Sequence, residues 1–196
     1  MIVHMFDGRV GRELELALRN ALPDRDLATV LVDVLVDAGD VSSVDGASPL
    51  APQAIVELSS LRTLIDAGAL VICAGGGGIP VALDGDGTMQ GVEAMVDKDL
   101  TASLLARRLD ADVLVMLTDV DAVHLDWGGE GAQVLNRVTP AELREHSFAS
   151  GSMGPKVEAA CRFVEATGRR AAIGGLTKAV EIVRGESGTQ ISAPSV

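Results

Sequence analysis

The chain has 196 residues, and its content of 47% hydrophobic and 22% charged residues is that of a folded globular protein and not of a disordered segment. A formal charge of −12 argues against DNA or RNA binding, because an anionic surface repels a phosphate backbone, and no apolar run is long enough to cross a bilayer. Residues 1–12 lack a signal-peptide pattern, and Cys73 and Cys161 lie in apolar patterns without metal-ligand spacing, so we predict a cytoplasmic protein in which both cysteines are core residues and not metal ligands.

The first half of the sequence alternates between helical and strand patterns. Apolar residues recur at helical spacing between Ile55 and Ile65, and Gly68 follows where a helix cap belongs. A short apolar segment then runs directly into four glycines. The predicted order is a helix over 12–22, a strand over 27–36, a loop over 39–52, a helix over 55–65, a strand over 69–74 and a hairpin over 81–92.

The second half repeats this alternation. Thr139 and Pro140 mark a helix start, with Glu142 in its first turn, and Gly168 follows a helical apolar stripe. The predicted order is a helix over 98–109, a strand over 113–117, a helix from 140, a helix ended by Gly168, a strand over 171–173, a helix over 177–184 and a strand over 189–192. Such alternation predicts one α/β domain over 1–196, with helices on both faces of a mainly parallel sheet.

Gly75, Gly76, Gly77 and Gly78 form a run directly after the strand predicted over 69–74. Without Cβ atoms, such a run lets backbone N–H groups approach and surround an anion. It lies where ligands of open α/β sheets bind, beyond the carboxyl end of a strand. It lacks the Lys-Ser/Thr pair of a Walker phosphate loop, so by itself it fits an anion-binding loop and a flexible turn equally well.

Two lysines stand at predicted helix starts. Lys98 lies between Asp97, the predicted cap, and Asp99, and Lys156 follows a Gly-Pro turn. A cation at a helix N-terminus is mildly unfavourable, and solvated charge is the simpler interpretation of either lysine alone. A phosphate bound by both would turn these penalties into attraction and would supply the positive charge that an acidic protein needs to hold a nucleotide. We therefore predict that Lys98 and Lys156 meet around a phosphate.

Polar residues follow the strand predicted over 113–117. Thr118 and Asp119 stand at its carboxyl end, where polar groups suit a ribose or a nucleobase. We predict no catalytic histidine, because none of the three histidines has a partner at ligand spacing. The candidates for the walls of a base pocket are Val123, His124 and Trp127.

Taken together, these segments resemble carbamate kinases of the amino acid kinase family. The matching segments are 71–81 (VICAGGGGIPV), 96–100 (VDKDL), 117–121 (LTDVD), 151–159 (GSMGPKVEA) and 188–191 (GTQI). The tetraglycine with its following Ile-Pro and the Gly-Ser-Met-Gly-Pro-Lys segment are specific to carbamate kinases. The Asp-Lys-Asp triplet is looser and also has relatives in sister kinases.

The resemblance implies an αβα sandwich, a homodimer and magnesium-dependent phosphoryl transfer between ATP and carbamate, a reaction that often runs toward ATP at the end of arginine or allantoin breakdown. It implies that Lys98 and Lys156 contact the phosphates, and that Asp97 orients these lysines and helps to hold the metal. It places the run from Gly75 to Gly78 beside the phosphoryl acceptor. The nucleotide-binding positions that it implies are Thr118, Asp119, Val123, Met153, Gly154 and Pro155.

Two features of that family have no counterpart in this sequence. Family members begin with an apolar strand and a glycine-rich, lysine-bearing loop before the position of Met1, and they carry a flap subdomain where this chain has the loop 39–52. Either the sequence is part of a longer protein, which the intact motifs favour, or it is a truncated form whose sheet is incomplete at the N-terminal side and which needs a partner or lacks activity. A sister activity, on acetylglutamate or a nucleoside monophosphate, is disfavoured by the segment 75–81. A catalytically silent nucleotide-binding module of the same fold is the alternative.

Overall fold

A computed structural model describes residues 29–32, 34–39, 48–126, 128 and 131–194. The helix predicted over 12–22, most of the loop predicted over 39–52, and Trp127 lie outside these residues. The chain divides into two compact units, one ending at Leu109 and the other beginning at Asp110. Within the described residues, no helix is both long and apolar enough to span a membrane.

The described part of the first unit contains small sheets of mixed direction and two helices. Its strands are β1 (Thr29–Val32), β2 (Leu35–Asp37), β3 (Ala54–Ile55), β4 (Leu70–Cys73), β5 (Ile79–Leu83) and β6 (Met89–Gly91), and its helices are α1 (Leu58–Asp66) and α2 (Lys98–Arg108). β1 pairs with β4 in parallel, and a second sheet has the order β3-β2-β5-β6. In that sheet only the β2–β5 pairing is parallel. The β5–β6 pair confirms the hairpin predicted over 81–92.

Two predictions for this unit are wrong in detail. The strand predicted over 27–36 is two strands that belong to different sheets, and the buried Val34 lies between them, with its carbonyl oxygen accepting a hydrogen bond from the Ile79 N–H at 2.9 Å. Ile55 pairs with Val36 in β3 and is not part of a helix, which begins at Leu58. In both places tertiary pairing decided the structure of an apolar segment that fits either pattern.

The second unit is built on a four-stranded sheet of order β10-β12-β11-β7. Its strands are β7 (Val113–Thr118), β8 (Val123–Leu125), β9 (Gln133–Leu135), β10 (Arg137–Val138), β11 (Arg170–Gly175) and β12 (Thr189–Ile191). Its helices are α3 (Pro140–Arg144), α4 (Met153–Thr167) and α5 (Ala179–Arg184), the last preceded by a 3₁₀ turn over Leu176–Lys178. The predicted strands and helices of this half are confirmed, and 177–184 is one helix only from Ala179 onward.

The central strands of this unit are β11 and β12. β11 runs parallel to β7 over six residue pairs, from Arg170–Val113 to Gly175–Thr118. β12 is antiparallel to β11 and parallel to β10, so it is an inner strand of the sheet. The hydroxyl of Thr189 in β12 accepts the N–H of Val123 at 2.8 Å, which ties β8 to the sheet. Thr189 is fully buried, and its hydroxyl also donates to the Leu135 carbonyl oxygen, so it has both a donor and an acceptor partner.

Helix ends in the second unit follow the local signals in the sequence. The Thr139 hydroxyl accepts the Glu142 N–H at 3.3 Å, and a Glu142 carboxylate oxygen accepts the Thr139 N–H at 2.7 Å, which forms a capping box at the start of α3. Gly168 ends α4 with φ +68°, a left-handed conformation that glycine adopts without strain. Ser152 precedes α4, and its side chain makes no cap hydrogen bond. Because α4 begins at Met153, Lys156 lies in its first turn.

Candidate functional site

The glycine run in the first unit is packed on one half and open on the other. The Gly77 N–H donates to the Ala74 carbonyl oxygen at 2.6 Å, which closes a tight turn after β4. A Cβ atom on Gly77 would lie 2.3 Å from the Val96 carbonyl oxygen, and one on Gly78 would lie 2.3 Å from a methyl group of Val36. Gly75 and Gly76 are exposed, with nothing within 4 Å of either Cβ position. Their backbone is therefore accessible to a ligand.

The first turn of α2 lies beside this run. Asp97 caps the helix, because its carboxylate accepts the Leu100 N–H at 2.9 Å. Lys98 is the first helical residue, and its ammonium group lies 3.7 Å from the largely buried carboxylate of Asp99. The Lys98 side chain is 50% exposed, so the ammonium group is held near the helix start and remains open to an anion. The predicted cap is confirmed, and the carboxylate that pairs with Lys98 is that of Asp99.

The second unit contains a cavity of about 470 Å³ between the carboxyl end of β7 and the start of α4. Its size is that of a small-molecule site. Lys156 is the only lysine or arginine among the lining residues that the structure describes. The lining residues are Thr118, Asp119, Val120, Ala122, His124, Asp126, Ser147, Phe148, Ala149, Ser152, Met153 and Lys156. Four predicted site residues, Thr118, Asp119, Met153 and Lys156, thus line one cavity.

One wall of the cavity is formed by alternate residues in and beside strand β8. Ala122, His124 and Asp126 line it, and Val123 between them is fully buried. Side chains of neighbouring strand residues point to opposite faces, which explains this split. The structure therefore gives Val123 a core position in place of the predicted position beside a base. His124 lines the cavity, as predicted for a wall of the base pocket.

Polar groups at this wall have defined hydrogen-bond roles. The Thr118 hydroxyl donates to the Asp119 carboxylate at 3.0 Å. Nδ1 of His124 lies 2.9 Å from the Ala122 carbonyl oxygen. A carbonyl oxygen only accepts, so this hydrogen bond places a proton on Nδ1. The wall offers acceptors to a ligand's N–H or O–H groups.

Two further predicted residues, Gly154 and Pro155, do not line this cavity. A Cβ atom on Gly154 would lie 3.0 Å from the Ala149 carbonyl oxygen, which accepts the Gly154 N–H at 2.8 Å. The glycine thus lets the loop before α4 pack onto the helix start. Gly154 also lines a second cavity, of about 280 Å³, and Pro155 is half-buried.

Sequence reasoning missed the loop before α4 as a wall of the site. Ser147, Phe148 and Ala149 all line the cavity. The signal available was a single one: Phe148 is one of three phenylalanines in the chain and stands four residues before Ser152. Aromatic and thioether groups such as Phe148 and Met153 give the cavity an apolar side suited to a planar base.

The predicted meeting of Lys98 and Lys156 around one phosphate stays a prediction, because the two lysines belong to different units. Within the described residues, no group of three or more His, Cys, Asp or Glu side chains is arranged to hold a metal ion.

Comparisons with known proteins identify similar sequences and folds. The amino acid kinase family matches residues 14–175. A carbamate kinase of Rhizobium meliloti is 43% identical over 225 aligned positions, which cover 95% of this chain and 69% of the relative. One of Haemophilus influenzae is 48% identical over 145 positions, which cover 74% of this chain and 46% of the relative.

Solved structures agree with these sequence matches. A Giardia lamblia carbamate kinase bound to AMP-PNP superposes with a TM-score of 0.84 at 33% identity, covering 95% of this chain and 70% of that one. The α/β amino acid kinase fold is thereby confirmed. The Rhizobium alignment has 225 positions against 196 residues here, so the relative has residues where this chain has none.

Proposed function

We propose that this chain, which belongs to the amino acid kinase family and within it to the carbamate kinases, catalyses reversible phosphoryl transfer between ATP and carbamate. The observation that carries the proposal is the cavity of the second unit, where Thr118, Asp119, Met153 and Lys156 stand together at the carboxyl end of a strand. A solved relative binds AMP-PNP, which supports a nucleotide as its ligand. The chain spans 69% of one curated relative and 46% of another, and activity of this chain alone is part of the proposal.

The residues of the cavity suit ADP. The apolar side, with Phe148 and Met153, would contact the base, and the acceptors of the strand wall would receive its amino group and the ribose hydroxyls. Lys156, in the first turn of α4, would contact the phosphates together with backbone N–H groups of that turn. The positive charge of Lys156 would attract the phosphates locally, although the protein as a whole carries a net charge of −12.

The glycine run and α2 suit the transferring group and its acceptor. The exposed backbone of Gly75 and Gly76 would contact carbamate or carbamoyl phosphate, and Lys98 would neutralise charge on the phosphoryl oxygens. Phosphoryl transfer needs no covalent nucleophile, since positioning and charge stabilisation supply most of the catalysis.

Magnesium is proposed to enter with the nucleotide. Mg²⁺ is bound in such sites by substrate phosphates and one or two carboxylates. Asp119 and Asp126 line the cavity and supply carboxylate oxygens of the right kind, whereas one carboxylate oxygen of Asp97 is already bonded to the Leu100 N–H. The metal would neutralise charge on the phosphates when bound. A homodimeric assembly, a cytoplasmic location and a part in arginine breakdown also belong to the proposal, and the family resemblance supports them.

Replacement of Lys156 by alanine tests the cavity. We expect ADP to bind about 10- to 100-fold more weakly, because a hydrogen bond between charged groups contributes roughly 1.5–3 kcal/mol. Calorimetric titration with ADP measures the affinity, and a luciferase assay of ATP formed from ADP and carbamoyl phosphate measures the activity. Lys178→Ala is the matched control, since Lys178 is a half-exposed lysine of the same unit, 4.0 Å from Asp121 and outside the cavity lining.

The outcomes separate the hypotheses. Unchanged ADP affinity in Lys156→Ala would contradict a nucleotide site in this cavity. A folded chain that binds ADP but forms no ATP would be the silent nucleotide-binding module, and the kinase proposal for this chain would fail.

A further inference from the structure

Thr101 links the glycine run to the start of α2. It is fully buried on α2, and its hydroxyl oxygen lies 3.0 Å from the Gly77 carbonyl oxygen and 2.9 Å from the Asp97 carbonyl oxygen. The hydroxyl has one proton to donate, which lies between these two acceptors. The bond to Asp97 is the common contact of a helical threonine with the carbonyl four residues earlier. The bond to Gly77 spans 24 residues of sequence and joins two different segments.

The contact is made at the packed half of the glycine run. The backbone of Gly77 passes so close to Val96 that a Cβ atom there would lie 2.3 Å from its carbonyl oxygen and 3.6 Å from the Lys98 backbone nitrogen. The glycine run is thus seated on the residues that precede and begin α2. The hydrogen bond of the Thr101 hydroxyl crosses this seam.

We propose that Thr101 is a positioning residue, whose hydroxyl fixes the glycine run against the start of α2. The accessible backbone of Gly75 and Gly76 and the ammonium group of Lys98 then keep one spacing around the same anion. This inference rests on the proposed function for its effect on turnover. Its effect on the glycine run itself does not depend on that function.

Three variants of α2 test this inference in the full chain. Thr101→Val keeps the shape and removes the hydroxyl, and Thr101→Ser restores the hydroxyl. Ser103→Ala is the matched control, because Ser103 is also fully buried on α2 and its hydroxyl has no hydrogen-bond partner among the described residues. All three are compared by kinetics and by amide hydrogen exchange of peptides that cover residues 73–83.

Thr101→Val should lower kcat/KM for carbamoyl phosphate by about tenfold or more, since small displacements of a positioning group cost up to 10²-fold. Its affinity for ADP should stay within about twofold, because the proposed nucleotide cavity lies in the other unit. Exchange at the Gly77 and Ile79 amides, which donate to Ala74 and Val34, should be roughly tenfold faster. Thr101→Ser should restore both values to within about threefold, and Ser103→Ala should change neither.

Each contrary result decides against the inference. Wild-type exchange in Thr101→Val would show that the hydroxyl does not fix the glycine run, whatever the activity. Faster exchange with unchanged turnover would show that the contact has no positioning role. Failure of Thr101→Ser to restore either value would assign the effect to packing. A wild-type chain that forms no ATP would overturn the proposed function alone, and the exchange comparison would still decide the role of the hydroxyl.

Discussion

The sharpest structural prediction compares two glycines of one run. Gly77→Ala and Gly75→Ala each add a single methyl group, two residues apart. At Gly77 the added Cβ would stand 2.3 Å from the Val96 carbonyl oxygen, with the backbone at φ +134°. At Gly75 there is nothing within 4 Å, and φ lies outside the positive range. The same chemical change therefore meets two opposite environments.

The magnitude at Gly77 has two contributions. A non-glycine residue held at such a φ costs about 1–3 kcal/mol. The clash adds to this, because the Val96 carbonyl cannot move away easily: the next residue, Asp97, is held by its N–H to the Leu50 carbonyl oxygen at 2.8 Å. We expect a total of about 3–5 kcal/mol, a large part of the stability of an ordinary domain. At Gly75 we expect a change within about 0.5 kcal/mol, or a small gain from the less flexible unfolded chain.

Thermal unfolding followed by circular dichroism measures the difference. Since 1 kcal/mol shifts the Tm of a chain of 196 residues by about 2–4 °C, Gly77→Ala should lower the Tm by roughly 6–20 °C. Gly75→Ala should stay within about 3 °C of wild type. Equal Tm values for the two variants would refute the reasoning, because they would show that the run does not pack against Val96 as described.

Two further predictions concern stability in the second unit and at the thiols. Thr139→Ala should cost about 1 kcal/mol in denaturant unfolding by removing the hydroxyl that accepts the Glu142 N–H, and Thr139→Ser should recover most of it; an alanine variant as stable as wild type would contradict the capping role. Burial raises the pKa of both the Cys73 and the Cys161 thiol to about 11, above the unfolded value of 9.0. The stability that this provides is complete below pH 9 and is lost as the pH rises toward 11, by up to roughly 2–3 kcal/mol per thiol. Unfolding free energies between pH 8 and 11 should fall less steeply in Cys161→Ala, and equal slopes would contradict the assignment.

Local signals predicted much of the helical structure. Asp97, Thr139 and Gly168 mark helix ends by side-chain or backbone chemistry that acts within a few residues, and each stands where it was expected. The glycine run and Lys156 were found in the same way, as residue types with few structural uses at those positions. Such signals need no knowledge of the rest of the fold.

Features that depend on distant partners were not predictable. Nothing in the apolar segment 27–36 indicates that it changes sheets, because the change follows from pairing with β4 on one side and β5 on the other. Val123 lies in the core and its neighbour His124 lines the cavity, because both belong to strand β8 and successive side chains of a strand point to opposite faces. This difference could not be predicted without knowing that the segment is a strand. Phe148 reaches the cavity through the packing of a loop onto Gly154, which no local pattern encodes.

The inner position of β12 has a consequence for synthesis on the ribosome. Translation proceeds from the N-terminus, so β7, β10 and β11 are all made before β12, the strand that lies between β10 and β11 in the sheet. Until Ile191 leaves the exit tunnel, the edge of β11 carries unpaired backbone groups that invite pairing with other chains. A chain cut before Thr189 would keep that edge of β11 unpaired and open to other chains.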